Sequence, residues 1–306
     1  MNDIERLERI YGAAGRELRA MLLALEPSTY DDAKGRAVMA KARALTTALN
    51  FAVDRWAGEA IPRAYEKGAR TARTALEILG KRPVKPELHN AKRKLIDDTV
   101  VTLIKANNSI PDTVERYVAT VGAAARAAQG ARLQEFSYSE ASSDIGRLAA
   151  EAELKEKSRG WLSAQVRDFL RGLIEDDEFI EINGRMYRMK KYAELVARTT
   201  MRESQTAAVK DLCEQYDNDL VQISDHGCDC DVCEPFEGNI YSLSGRSTRY
   251  PMATDLPPFH CNCKHSMQAT SEEAIEVRSQ RPDGGESQLA RTIREAEEAA
   301  QWRNIR

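Results

Sequence analysis

Between Asp225 and Met267 the chain gathers five of its six cysteines and three of its four histidines. The stretch opens with Asp225-His226-Gly227-Cys228-Asp229-Cys230-Asp231-Val232-Cys233 and closes with Pro257-Pro258-Phe259-His260-Cys261-Asn262-Cys263-Lys264-His265. Thiolates and imidazoles are the soft and borderline donors that zinc selects, so two such groups predict a loop whose ends meet at a metal. The same side chains can also build a reactive-thiol site. Most of what the chain does turns on which of these holds.

The spacing narrows the choice. Cys230 and Cys233, with two residues between them, can reach one tetrahedral ion. His260, Cys261, Cys263 and His265 offer the second half of a site. The preferred quartet is Cys230, Cys233, Cys263 and His265. His260 can replace His265, because both flank the same thiol, which leaves Cys228, Cys261 and His226 as alternates. A structural zinc here stands in for the core that a small domain lacks. A thiol nucleophile would pair Cys263 with His260 or His226 as base, and a catalytic metal would need Glu234 or Glu237 as its general base. The sequence offers no evident third residue to orient such a base. A metal-free fold in which these side chains simply pack is the remaining alternative.

Upstream the chain reads as helices. Leu7, Tyr11, Ala14, Leu18, Met21 and Leu25 form a stripe that ends before Pro27. Ser28 and Thr29 are candidate caps for a second helix carrying Val38, Ala42, Leu45, Leu49, Ala52 and Trp56 on one face. Pro62 is expected to kink that helix or start a new one, and the helical pattern continues from Ala64 to Leu79 until Gly80 and Pro83 break it. Two antiparallel helices with a short joint are the economical picture. Further helices are expected over 95–105, 111–132 and 145–173. Near Glu175 the texture changes: Phe179 to Ile182 and Met186 to Met189 flank Asn183-Gly184, the strongest short hairpin signal. A helix from Tyr192 to Tyr216 and a strand over Leu220 to Ser224 then lead into the cysteines.

The expected fold is therefore mainly α, with an elongated helical region over 1–175. A small α+β domain over 176–270 carries the Cys/His loop, and a charged tail over 271–306 has a terminal helix from Leu289 to Ile305. Aromatics are only 6% of the chain, consistent with alanine-rich helix packing. The net charge of −3 argues against a dedicated nucleic-acid binder, leaving Lys92-Arg93-Lys94 and Arg188 to Lys191 as candidates for non-specific DNA contact. No run approaches the roughly 18 apolar residues of a membrane span. Met1 to Arg6 has no signal-peptide core, so cytoplasmic synthesis is expected, where clustered cysteines serve as ligands more often than as disulfides.

The C-terminal pattern resembles a known family. The run Ser224-Asp225-His226-Gly227, the pair Cys230 and Cys233, Glu234-Pro235-Phe236-Glu237-Gly238, Ile240-Tyr241-Ser242-Leu243-Ser244-Gly245, and Pro257-Pro258-Phe259-His260 with Asn262-Cys263-Lys264-His265-Ser266 together resemble the signature of tailed-phage minor head proteins. These are the Mu F-like head-morphogenesis proteins and related minor capsid proteins. The helix Ala197-Arg198-Thr199-Thr200-Met201-Arg202-Glu203 is similar to the family's helix before that signature. Trp56 to Gly68 looks like an N-terminal helix of the minor capsid group. Cys261 stands where the family usually has proline, and His265 where some members have a second cysteine. The resemblance implies a non-enzymatic, low-copy component inside the phage head, made in the host bacterial cytoplasm. It would bind portal and major capsid or scaffold protein during procapsid assembly and could assist genome packaging or ejection. Arg198 and Arg202 would support the domain or contact the portal. The rival reading is a metal- or thiol-dependent hydrolase carried in the head.

Overall fold

The structure, a computed structural model, describes residues 2–84, 90–128, 178–227 and 229–279, together with Asp168, Arg171, Gly172 and Ile174. The helices expected over 145–173 and 289–305 lie almost wholly outside those residues. The described elements are α1 (Asp3–Leu23), α2 (Asp32–Ile78), α3 (Asn90–Asn107), α4 (Ile110–Ala128), β1 (Glu178–Ile182), β2 (Arg185–Arg188), α5 (Met189–Gln215), β3 (Leu220–Ile223), β4 (Ile240–Ser242), β5 (Met267–Ala269) and α6 (Glu272–Ser279). The chain is mainly α with a small strand-containing C-terminal part, as its helical periodicities predict. By proximity it forms two units, one of Met1–Trp56 with Val100–Glu194, the other of Ala57–Thr99 with Leu195–Arg306.

In the first unit, Asn2 and Glu5 cap α1 reciprocally: the Asn2 side chain accepts from the Glu5 N–H at 2.8 Å, and the Glu5 carboxylate from the Asn2 N–H at 3.2 Å. The predicted stripe is buried at Leu7, Tyr11, Ala14 and Leu18, joined by Leu22. A buried polar chain pins α1 to α3 and α2. The Tyr11 hydroxyl donates to Asn107 Oδ1 at 2.9 Å, and Asn107 Nδ2 donates to Asn50 Oδ1 at 2.8 Å. Tyr30 fits between Gly35 and Gly122, where a Cβ on Gly35 would come within 2.5 Å of its hydroxyl. Asn183 and Gly184 both adopt positive φ, 52° and 76°, and turn β1 antiparallel onto β2 as the dipeptide requires.

Two local expectations are corrected. The cap of α2 is Asp31, whose Oδ1 accepts from the Lys34 N–H at 2.8 Å, and Pro27–Thr29 forms a separate 3-10 turn. Nor does Pro62 break the helix: α2 is one helix of 47 residues with Pro62 inside it. An interior proline costs about 3 kcal/mol. Trp56, Ala57, Ala60, Ile61, Ala64 and Tyr65 around it are all buried, and that packing holds the backbone helical across the missing hydrogen bond.

In the second unit, α2 packs on α5 through small side chains. Tyr65, Ala69, Ala72, Ala75 and Leu76 meet Ala208, Val209, Leu212, Cys213 and Tyr216, and the layer closes on Val221, Ile223, Met267 and Ala269 of a three-stranded sheet. The sheet order is β4-β3-β5, all antiparallel. β5 carries no sequence signal, because three residues are too few to show an alternation. Its register decides the site: Ile223 pairs with Met267, so the chain leaving β3 lies beside the chain entering β5. Ser224 N–H donates to Ser266 O at 2.9 Å and extends the pairing. Asp219 secures the return from β4, accepting from the Ser242 hydroxyl at 2.5 Å and from the Ser244 N–H and hydroxyl at 2.8 and 2.6 Å.

Candidate metal centre

The segment after β3 folds into a tight turn in which the Cys233 and Glu234 N–H groups donate to the Cys230 carbonyl at 3.1 and 2.9 Å. The N–H groups of Cys233 and Val232, with the Cys233 thiol, hold the Cys230 thiol below its ordinary range, against the opposing effects of burial and the Asp231 charge. Such donors stabilise a thiolate, the form that binds metal. The segment before β5 makes a matching turn, with Cys263 N–H donating to His260 O at 3.1 Å. Asn262 sits there at φ 64°, a left-handed conformation that asparagine tolerates better than most residues.

The two turns meet. His260 Nε2 lies 3.4 Å from both Cys230 Sγ and Cys233 Sγ, and His265 Nδ1 lies 3.4 Å from Cys263 Sγ. Cys230, Cys233 and His260 form one triad and Cys233, Cys263 and His265 another, the ligand atoms of each lying within 4.8 Å of one another. Cys233 belongs to both. Zinc bond lengths in a tetrahedron place sulfur and nitrogen ligands about 3.6 Å apart, so the separations within each triad suit a metal ion. The far ring nitrogens are occupied as well: His260 Nδ1 is 2.8 Å from Cys261 O, and His265 Nε2 is 2.6 Å from Glu237 Oε1. That leaves Nε2 of His260 and Nδ1 of His265 facing sulfur, the arrangement metal-binding histidines adopt. The donor set fits zinc. Phe236 and Phe259 stack at 4.2 Å beside the cluster.

Residues 166–305 match the family described as Phage minor capsid protein 2. The match supports a phage minor capsid family. No curated protein matches the chain, and no solved structure does. The match covers just under half of the chain, and it supports a structural role in the phage head and implies a place in the virion. The matched region contains the whole cluster.

Within the matched region the structure sorts the sequence candidates. Cys230, Cys233, Cys263, His265 and His260 come together in the two triads. Cys261 is exposed and outside both. Cys228 lies outside the described residues. His226 is in neither triad: its Nε2 is 3.0 Å from the Ser224 hydroxyl, and its ring meets that of His265 edge-on at 5.1 Å. Glu234 is exposed, while Glu237 is committed to His265 and to the His226 N–H, at 3.1 Å. Spacing gave no sign of that Glu237 contact.

Arg202, on α5, is half-buried. Burial lowers its pKa, and the nearby Cys263 sulfur opposes the shift. Exposed Arg198 lies one turn earlier on the same helix. Lys92 and the run from Arg188 to Lys191, both considered for DNA, are locally engaged. Lys92 pairs with Glu66 at 3.2 Å and lies over the Tyr65 ring. Arg188, Lys190 and Lys191 face Glu178, Glu8 and Glu194 at 3.9, 3.3 and 3.1 Å. Among the described residues no helix is long and apolar enough to cross a membrane.

Proposed function

We propose that this chain is a structural component of a phage head whose C-terminal fold is closed by one zinc ion. The single observation that carries the zinc reading is the pair of triads that share Cys233, each with two sulfurs and one ring nitrogen within 4.8 Å of one another. Cys230, Cys233, Cys263 and His265 would hold the ion, with His260 the competing imidazole. Bound zinc would supply a four-point cross-link between the ends of the β3–β5 loop, with no open position for chemistry. Elemental analysis of purified protein should find about one zinc per chain, and its removal should unfold the sheet and loop. A protein that folds fully without metal rejects the reading.

The assembly role rests on the family match. The chain would sit inside the head, bind the portal together with capsid or scaffold protein, and act during procapsid assembly, with packaging or ejection as later roles. Non-specific DNA contact would have to compete with the ion pairs on Lys92 and on Arg188 to Lys191. Co-expression with the portal protein of the same phage tests the role by co-purification. Consistent absence from portal-containing particles defeats it.

A thiol hydrolase keeps one observation in its favour. Cys263, His265 and Glu237 line up as thiol, imidazole and carboxylate, at 3.4 and 2.6 Å, the order of a nucleophile, base and orienting group. Cys263 and His265 are only 8% and 1% exposed, which denies a substrate access to the sulfur. Cys263 alkylating far faster than the exposed Cys261 would support the enzyme, and Cys263 alkylating more slowly than Cys261 rejects it.

A further inference from the structure

The two triads share Cys233 and each brings its own imidazole, so an ion seated at Cys233 must take His260 or His265 as its histidine. The two rings differ in what holds their far nitrogen. His260 is half-buried and faces a neutral backbone carbonyl, Cys261 O, at 2.8 Å. His265 is almost fully buried and faces a carboxylate, Glu237 Oε1, at 2.6 Å, with the Glu237 side chain itself only 11% exposed. Glu237 is in turn fixed by the His226 N–H at 3.1 Å. It follows the 3-10 turn Glu234–Phe236, which the Cys233 backbone starts. One short stretch of chain therefore carries both a shared sulfur and the group that orients an imidazole on the opposite side of the loop.

We propose that Glu237 is the positioning residue that makes His265 the fourth ligand. By accepting the Nε2 proton it fixes one tautomer and leaves the Nδ1 lone pair directed to the Cys233–Cys263 side of the cluster. Its negative charge also makes this imidazole a stronger donor than His260, whose partner is uncharged. Arg202, beside Cys263, offsets part of the charge that three thiolates and a carboxylate bring together. The inference rests on the zinc reading and adds the selection of one histidine over the other.

The test uses the full chain loaded with zinc, and with cadmium-113 for NMR. Cadmium-to-proton couplings should appear on the His265 ring and not on His260, with a slowly exchanging His265 Nε2 proton. The Glu237→Ala variant should bind zinc about 10- to 100-fold more weakly in chelator competition, with the coupling transferred to His260. The Glu237→Gln variant retains a neutral acceptor, so its loss should be smaller and the coupling should stay on His265. Coupling to His260 in the unmodified protein overturns the inference, and so does a Glu237→Ala affinity within twofold of it. If the unmodified protein binds no zinc, the zinc reading itself falls, whereas zinc binding that is indifferent to Glu237 sinks only the positioning role.

Discussion

The backbone of Gln205 occupies the space where a side chain on Gly68 would begin: a Cβ there would lie 2.7 Å from the Gln205 carbonyl oxygen and 2.8 Å from its Cα. The neighbour is backbone on α5, so it cannot rotate aside as a flexible side chain could. Gly68→Ala should therefore destabilise the chain by about 1–3 kcal/mol, the usual cost of overpacking. Gly58→Ala, whose Cβ meets nothing within 4 Å, should be neutral or stabilising. Paired denaturant melts check this, and equal midpoints for the two variants would contradict the close crossing.

The shared position of Cys233 sets a hierarchy among the cysteines. Cys233→Ser removes a donor from both triads and should abolish stoichiometric zinc. Cys230→Ser or Cys263→Ser removes one triad and should weaken binding. Cys261→Ser should leave zinc content and melting temperature unchanged. Zinc analysis of the four variants reads the order directly, and equal loss across all four would refute it.

Cys213 supplies an internal control for thiol reactivity. Burial pushes its thiol up to about 12, opposed by the Asn218 side-chain contact and reinforced by the Asp219 charge. It should stay unmodified by iodoacetamide at neutral pH while the protein is folded, and react only on unfolding. Mass spectrometry of the alkylated peptides measures both conditions.

Asp219 predicts an acid limb to stability. Burial raises its pKa, but the Ser242 hydroxyl, the Ser244 hydroxyl and N–H, and the Arg246 charge outweigh it, so the folded-state pKa is lowered. A lowered carboxylate pKa adds stability that is present above the unfolded value of about 3.9 and is lost as pH falls through the folded value. Asp219→Asn should be less stable than the unmodified chain at pH 7, and the gap should close toward pH 3. Solvent screening keeps the effect modest. A constant gap across that range would show that the hydrogen bonds act without the charge.

The buried chain Tyr11–Asn107–Asn50 predicts a larger cost. Asn107→Leu leaves the Tyr11 hydroxyl without its partner in the core, a penalty of about 1–3 kcal/mol. Adding Tyr11→Phe should recover part of the loss, because the orphaned hydroxyl goes with it. A double-mutant cycle on thermal stability isolates the coupling.

These residues also show what a sequence displays and what it hides. The α1 stripe was legible because burial repeats every three to four residues. The β1–β2 turn was legible because Asn183-Gly184 tolerates a backbone that few other pairs do. That Cys/His groups gather at the two ends of the loop was legible from donor chemistry. That α2 runs unbroken through Pro62 was not legible, because the proline's local cost is visible in sequence, while the buried flanks that offset it belong to tertiary packing. The Glu237–His265 contact was hidden for a related reason. It depends on β3 and β5 lying side by side, and the short β5 leaves no alternation to read.

The pairing of Ile223 with Met267 also makes the cluster a reporter of register. If β5 slipped by one residue against β3, its side chains would swap faces, and His265 and Cys263 would be carried away from Cys233. Ion capture would then mark the moment at which the strands have locked correctly. Its time course during refolding would clock the last long-range step by which the C-terminal half reaches its native form.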